Sequence, residues 1–456
     1  MQPIELVYTL ISLIFIIIVV YRAENKLLLG IIIFWLLADP ILGNPKYVLR
    51  IEAANFNLNI NRIVLVPLLM ILPIAWIKRN NLRNLIGKKG ANNNQPISFE
   101  KWMLLFAITS VVSGLYNFEQ IELRNLLILI SNILVFLLFY YECKWSISRK
   151  DIILLLYSIL ILAVMSAIVG VLQFFFDPEL FRVGSARLAF ANFYRANGLL
   201  RAEYTQGFFQ ITALFIIFYI NRHGLFRFIF FIFSSIAIFL TMHRLSWVAW
   251  FITLLIFGFF KLKEGKIKPE QIFLGLIPLI IVIFIGIKIY IDSGLFEAIG
   301  DRFYADTLSG RVEYYNLGFD IIKNNPLGIG DYNSNYYRQL AYSAGVPFGR
   351  EEDITASLRP FVIHNGILSA GVKFGLLGMF FFSLFIFGTI ILYLKKAHKE
   401  FTKYFLPFFL SLLYFVYNTT NDFSDFGAQV SILLSILLGC FASYAFCGFN
   451  YRKNQQ

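Results

Sequence analysis

The segment IILLLYSILILAVMSAIVGVLQ, residues 152–173, carries no charged side chain over twenty-two positions. At 1.5 Å per residue a helix of that length measures about 33 Å, close to the thickness of a bilayer's hydrocarbon core. In lipid a helix satisfies its own backbone polar groups, so such a run reads as a membrane-spanning helix. Working outward, similar runs lie near 4–21, 27–42, 63–77, 102–116, 125–141, 206–220, 226–241, 245–260, 271–290, 372–394, 404–420 and 428–447. With the first, they make thirteen in a chain of 456 residues. The chain is 58% hydrophobic and 15% charged, against about 45–50% and 25% in soluble domains. The expected fold class is therefore all-α: a polytopic membrane protein of about 12–13 transmembrane helices with a large periplasmic or extracellular loop. Three parts are expected: 1–290 with ten spans and short loops, 291–363 as a partly helical outer loop, and 364–456 with a histidine-bearing helix and the last three spans.

Charge orients these spans. A net charge of +13 would suggest nucleic acid as partner of a soluble protein; here it follows from cytoplasmic loops, and no nucleic-acid partner is expected. The loop KRNNLRNLIGKKGANNNQPISFEK, residues 78–101, is basic and polar, and belongs in the cytoplasm. Alternation then puts 22–26, 142–151, 221–227, 261–270, 395–403 and 448–456 on the same side. These inner loops hold 23 basic and seven acidic residues, the outer segments 15 basic and eighteen acidic. The N-terminus is expected outside, as a retained span with no basic region or cleavage site before it. Of the inner basic residues sixteen are lysine, whereas thirteen of the outer fifteen are arginine. Topology needs only positive charge, but arginine adds a planar fork that grips phosphate or carboxylate. The outer arginines either pair with the outer acids or hold an anionic ligand. Cys143, Cys440 and Cys447 all fall away from the outer loops, so no structural disulfide is expected.

The outer segment of roughly seventy residues, 291–363, is too long for a connector. In it, SGRVEYYNLGFDIIKNNPLGIG predicts a helix capped by Ser309, with Val312, Tyr315, Phe319 and Ile322 at helical spacing. Asn324, Asn325 and Pro326 stop it, and Gly328 and Gly330 make a tight turn. Arg311 falls in its first turn, where a cation opposes the helix dipole, so helix stability does not account for it; an ion pair with Asp306 or Glu313 would. Next, RPFVIHNGILSAGVKFGLLG sets His364 where the loop meets a long apolar helix. It is either a polar anchor or a group able to take a proton near neutral pH. Gly371, Gly375 and Gly378 line one side of that helix and allow close packing. FYRANGLLRAEYTQ places Arg195 and Arg201 before a span, and TMHRLSW puts His243 and Arg244 in a short turn between two spans.

At these residues the chain resembles the O-antigen ligase and O-antigen polymerase superfamily. The matching features are the span-ending Arg244 of HRLSW, the stretch SGR…NPLGIG with Arg311, Pro326, Gly328 and Gly330, and HNGILSAGVKFGLLG with His364, Asn365, Gly375 and Gly378. The motifs cover about 190–380, and hydropathy extends the likeness to the rest. The chain departs from the usual wording in HRLSW, where a small residue often precedes the arginine, and in RAEYTQ, where an asparagine often follows. The assignments of Arg195 and Arg201 therefore rest on less than that of His364. The resemblance implies an inverting glycosyltransferase without metal or other cofactor, acting at the outer face of the bacterial cytoplasmic (inner) membrane. Its donor would be a glycan on a polyprenyl (undecaprenyl) pyrophosphate, its acceptor another glycan or a lipid, and a chain-length regulator is a further candidate partner. Its products belong to the cell envelope, as lipopolysaccharide or capsule. His364 is then the base, Arg311 and Arg244 stabilise the leaving pyrophosphate, and Arg195 and Arg201 bind donor. Asn365 orients His364, and Tyr315, Tyr336 and Tyr337 either stack on sugar rings or pack the core. Polymerase is favoured, ligase next. Two other classes remain: a transporter or flippase for lipid-linked polysaccharide, marked by charges and broken helices at mid-membrane, and a metal-dependent transferase using the trio Glu351, Glu352 and Asp353.

Overall fold

The computed structural model describes residues 3–42, 50–51, 56–57, 60–87, 98–119, 121, 123–182, 188–190, 193–200, 202–220, 224–263, 306–332, 337, 339–340, 363–424, 426–443 and 446. The run 271–290, Arg201, Tyr336, Cys447 and the trio Glu351, Glu352 and Asp353 lie outside them, and Arg311 is described by its backbone.

Among the described residues thirteen helices follow in order: α1 (Pro3–Arg22), α2 (Lys26–Leu42), α3 (Ile60–Gly87), α4 (Ser98–Tyr116), α5 (Leu123–Ser146), α6 (Arg149–Phe175), α7 (Glu203–Ile220), α8 (Gly224–Leu240), α9 (Arg244–Lys263), α10 (Asp306–Asn324), α11 (Gly366–Lys399), α12 (Phe401–Asn418) and α13 (Gln429–Ala442). Two short antiparallel pairs, β1 (Arg50–Ile51) with β2 (Phe56–Asn57) and β3 (Leu188–Phe190) with β4 (Phe193–Tyr194), decorate the loops. Each expected span among the described residues is a helix, and the chain is an all-α membrane protein. By length and composition α5, α6 and α11 can each cross a bilayer, and shorter apolar helices accompany them. Large apolar side chains point outward along these helices, Ile17, Met70, Ile108, Phe228 and Phe380 among them. In water that surface would be costly; against lipid it is the matching solvent.

Lipid offers no hydrophobic drive for helices to associate, so packing and polar contacts must hold them. Aromatic rings supply much of the packing here. The Phe106 ring of α4 meets Phe374 and Phe382 of α11 and Phe426, and Phe426 in turn stacks on Phe136 of α5 at 3.9 Å between centroids. At one end of the bundle the loops expected in the cytoplasm come together. Ser148 and Asp151 form a capping box on α6, and the same Asp151 carboxylate accepts from the backbone N–H groups of Glu24 (2.9 Å) and Asn25 (3.1 Å). Glu100 pairs there with Lys144 and accepts from Tyr140. At the opposite end the segments expected outside meet one another.

Two expectations for the late segments need correction. α10 begins at Asp306, three residues before the Ser309 predicted to cap it; an acid at the first position suits the helix dipole, and it leaves Arg311 in the second turn. Its buried stripe runs through Leu317, Gly318, Ile321 and Ile322 while Phe319 is exposed, because Gly318 lies where a Cβ would press on Ile363 and Leu368. α11 is not one continuous helix. Gly375 sits at φ 78°, ψ −175° and breaks it, so Gly371 packs on Ile322 of α10, whereas Gly375 has a different task.

Candidate active site

That task is to admit a piece of the chain's own backbone. The turn at residues 326–330, with Gly328 and Gly330 both at positive φ, lies in the gap that Gly375 opens in α11. The carbonyls freed by the break are taken by the turn's amides: Ile329 N–H donates to Val372 O (3.0 Å) and Gly330 N–H to Lys373 O (2.8 Å). In return Leu376 N–H donates to Pro326 O at 2.9 Å. From α4, Ser113 Oγ donates to Leu327 O (2.7 Å), and Asn117 Nδ2 to Gly328 O (3.0 Å). Irregular backbone inside a membrane protein persists only when such partners exist. The sequence motif NPLGIG is thus a plug for a broken helix.

Just ahead of the break α11 carries Lys373, whose Nζ pairs with Asp422 at 2.5 Å and lies over the Tyr332 ring at 5.0 Å from its centroid. Both partners are buried. Burial pushes the Asp422 carboxyl up, but the Lys373 charge and the hydrogen bonds from Lys373 and Ser424 outweigh it and hold Asp422 below its usual range. Ser424 Oγ donates to Asp422 at 2.6 Å, and Tyr332 donates to Ser369 at 2.7 Å. This cluster is not visible in the sequence alone. Asp422 stands in the short connector TTNDFSDFGAQ after α12, where only its polarity among apolar runs signals anything.

At the start of α11, Asn365 is the N-cap: its side-chain oxygen accepts from the amides of Ile367 (3.1 Å) and Leu368 (3.0 Å). The carboxamide therefore fixes the turn that bears His364. His364 is exposed, and its carbonyl accepts from the Tyr315 hydroxyl of α10 at 3.4 Å. Arg311 stands one helical turn before Tyr315 on α10. Gly366 abuts the Asn418 side chain so closely that a Cβ there would overlap it, so the histidine turn rests on the end of α12. Tyr337, by contrast, is buried against Tyr332 and fills core.

The α8–α9 turn reaches the same place from the other side. Met242 takes a left-handed φ of 49° before His243. Behind His243, Ser246 accepts a hydrogen bond from Tyr417 of α12 at 2.7 Å, and its Oγ lies 2.9 Å from His243 Nδ1. Arg244, the first residue of α9, is exposed. The segment carrying Arg195 is stitched to this turn, since Ala196 N–H donates to Leu240 O at 3.0 Å. Arg195 offers its own carbonyl to Arg182, a buried arginine 4.0 Å from Glu203 that the sequence alone did not single out. The following residues, 197–200, form a buried loop clasped by side chains: Gln173 accepts from Asn197 N–H and Gly198 N–H, and Ser166 from Leu199 N–H. Polar residues inside an apolar bundle are costly unless paired, and these two residues of α6 hold the loop in place.

The described candidates thus sit on neighbouring segments: Arg195 beside the Arg244 turn, that turn bonded through Ser246 to Tyr417, and the His364 turn on the adjacent Asn418. Residues 229–383 match the O-antigen ligase family. This stretch is similar to an O-antigen ligase domain. It runs from α8 past the break in α11 and takes in Arg244, Arg311 and His364, and the match supports the likeness to the O-antigen ligase and polymerase superfamily. Together with the apolar helices, this match supports a bacterial membrane protein with an O-antigen ligase or polymerase type of function. A search of the curated proteins finds no match to the chain.

Proposed function

We propose that this chain is an inverting, metal-independent glycosyltransferase acting on polyprenyl-pyrophosphate-linked glycan at the outer face of the bacterial cytoplasmic membrane. Polymerisation is favoured over ligation to a lipid acceptor. One observation carries the proposal: the segments bearing Arg195, Arg244 and His364 are joined through Ser246, Tyr417 and Asn418 at a single end of the bundle. In the reaction the acceptor hydroxyl attacks the anomeric carbon and gives its proton to His364, a role suited to imidazole. The C1–O bond breaks and its electron pair stays on the pyrophosphate. Guanidinium groups of Arg244, Arg311 and Arg195 meet that growing charge, each such preorganised donor lowering the barrier by roughly 3–4 kcal/mol. Arg201 extends the grip towards the glycan, and Tyr315 holds the His364 turn from α10.

The test is a pair of substitutions at Arg311, with growth of a glycan ladder from lipid-linked repeat units as the readout. Arg311→Lys should be nearly as damaging as Arg311→Ala, about 10²–10³-fold, because an ammonium cannot supply the two parallel donors of the fork. Recovery of the ladder by lysine would mean that charge alone acts there. A transfer product formed only when a lipid acceptor is added would favour ligation. The side of the membrane has its own check. A cysteine at Asp331 should react with a membrane-impermeant thiol reagent in outer-membrane-permeabilised cells, while one at Lys88 should not; the reverse pattern inverts the topology.

A transporter would also show a broken helix. In α11, however, Val372 O, Lys373 O and Leu376 N–H are already taken by the 326–330 turn, so the break has no such backbone groups to lend a passing solute.

A further inference from the structure

A buried arginine stands behind the segment that carries Arg195. Residues 177–182 form a tight turn after α6, closed by Leu180 N–H to Asp177 O (3.2 Å) and Arg182 N–H to Glu179 O (3.1 Å). Near its end Phe181 takes a left-handed φ of 54°, its ring packed against Tyr8 of α1 at 5.1 Å between centroids. A phenylalanine keeps that conformation only where its surroundings offset a strain of about 1–3 kcal/mol. The turn sends Arg182 inward, and its side chain is 3% exposed. A guanidinium so far from water is costly unless its donors are met. Nε donates to Pro178 O at 2.7 Å, Nη2 donates to Arg195 O, and Nη1 lies 4.0 Å from the buried carboxylate of Glu203.

The bond to Arg195 O falls on one particular peptide unit. The plane linking Arg195 to Ala196 is held at both poles, its carbonyl by Arg182 and its N–H by Leu240 O at 3.0 Å. Leu240 closes α8, four residues before Arg244. A peptide unit is planar and rigid, so fixing both poles fixes the Cα of Arg195 and the direction in which its side chain leaves the backbone. On the far side of the fork, Glu203 begins α7, two residues after Arg201. The loop between these flanks, 197–200, is already fastened by Gln173 and Ser166. A further staple for the loop would be redundant; Arg182 adds control of the residue ahead of it.

We propose that Arg182 is a positioning residue for the pyrophosphate site: through the 195–196 peptide it aims Arg195 alongside the Arg244 turn, with Glu203 anchoring the other arm of its fork. The inference rests on the transferase reading and deepens it. Arg182 itself touches no substrate. Its charge and that of Glu203 offset one another, so the pair fixes geometry without adding net charge to the site. A lysine cannot replace it, because an ammonium on a flexible stem lacks the planar fork that meets three groups in set directions.

The experiment measures binding of inorganic pyrophosphate to the full-length protein in lipid nanodiscs, for wild type, Arg182→Lys, Arg195→Ala and the double variant. Lysine keeps the charge that balances Glu203, so Arg182→Lys should melt close to wild type. Arg195→Ala should bind about tenfold more weakly, as expected for one lost hydrogen bond to an anion. Arg182→Lys should bind about fivefold more weakly, a partial loss of that same bond. The double variant should bind within about twofold of Arg195→Ala, because no side chain is left to aim. A purely structural role would carry the loss from Arg182→Lys into the double variant, and that result overturns the proposal. Arg182→Lys binding as well as wild type also overturns it. Arg195→Ala binding as well as wild type overturns it while leaving Arg244 and Arg311 in the transferase, and wild-type protein that ignores pyrophosphate overturns both readings. Should Arg182→Lys not fold, Glu203→Gln loosens the same fork more gently. It should cost about threefold alone and nothing beyond Arg195→Ala in combination; an equal loss in both backgrounds overturns the proposal.

Discussion

Gly375→Ala should cost the chain its folded outer end. The residue sits at φ 78°, ψ −175°, a region that only glycine occupies without strain of about 1–3 kcal/mol. Strain is the smaller part. A Cβ at this position would overlap Pro326 O and the backbone of Leu327, and backbone cannot step aside as a flexible side chain can. The turn would have to leave the gap, taking with it the bonds from Ile329, Gly330 and Leu376 and exposing α11 carbonyls to an apolar interior. Counting about 1 kcal/mol for each lost bond on top of the strain, the loss is at least roughly 4 kcal/mol. The check is the unfolding midpoint and the yield of monodisperse protein in detergent. Gly388→Ala, farther along the same helix, is the control: its Cβ would make ordinary contacts of 3.6 Å with Trp102 and 3.7 Å with Phe99, so it should melt close to wild type. Equal midpoints for both variants would mean that the break in α11 needs no glycine.

The second large effect is chemical and should leave stability alone. His364→Ala is expected to reduce glycan transfer by about 10²–10⁴-fold, the usual worth of a positioned general base. His364 is exposed and precedes the helix, and the cap of α11 is made by Asn365, not by the histidine. The variant should therefore insert and melt like wild type. Asn365→Ala is the informative companion: it removes the cap, costs about 1 kcal/mol of stability, and should lower transfer by loosening the turn while leaving the imidazole in the chain. Unchanged transfer by His364→Ala would remove the base from the mechanism, and with it the reason for assigning chemistry to this end of the bundle.

What could be read from sequence alone divides along a physical line. Hydropathy is a property of single segments, and the spans from 152–173 outward follow from it without knowledge of their neighbours. The expectation that 22–26, 78–101 and 142–151 share a side also follows from local charge, and Asp151 and Glu100 with Lys144 join them at one end. Gly375 was harder. Its spacing from Gly371 and Gly378 suggested a packing face, because nothing within HNGILSAGVKFGLLG says that a turn some fifty residues earlier fills a gap in it. Lys373 and Asp422 show the same limit, since each is unremarkable until the other is placed 2.5 Å away. Asn365 was linked to His364 by adjacency in sequence; the cap geometry shows that the link runs through the backbone of the helix start.

The break in α11 divides one long helix into two mechanical parts. Beyond Gly375, residues 376–399 amount to about 36 Å at 1.5 Å per residue, enough to cross the bilayer unaided. Ahead of it, Gly366–Phe374 is a stub fastened to α10 and to the end of α12. Changes in bilayer thickness are taken up by tilting of spanning helices, and such tilting would pivot at Gly375. The stub that supports His364 would stay still, so this enzyme's output should depend little on the acyl-chain length of the membrane that houses it.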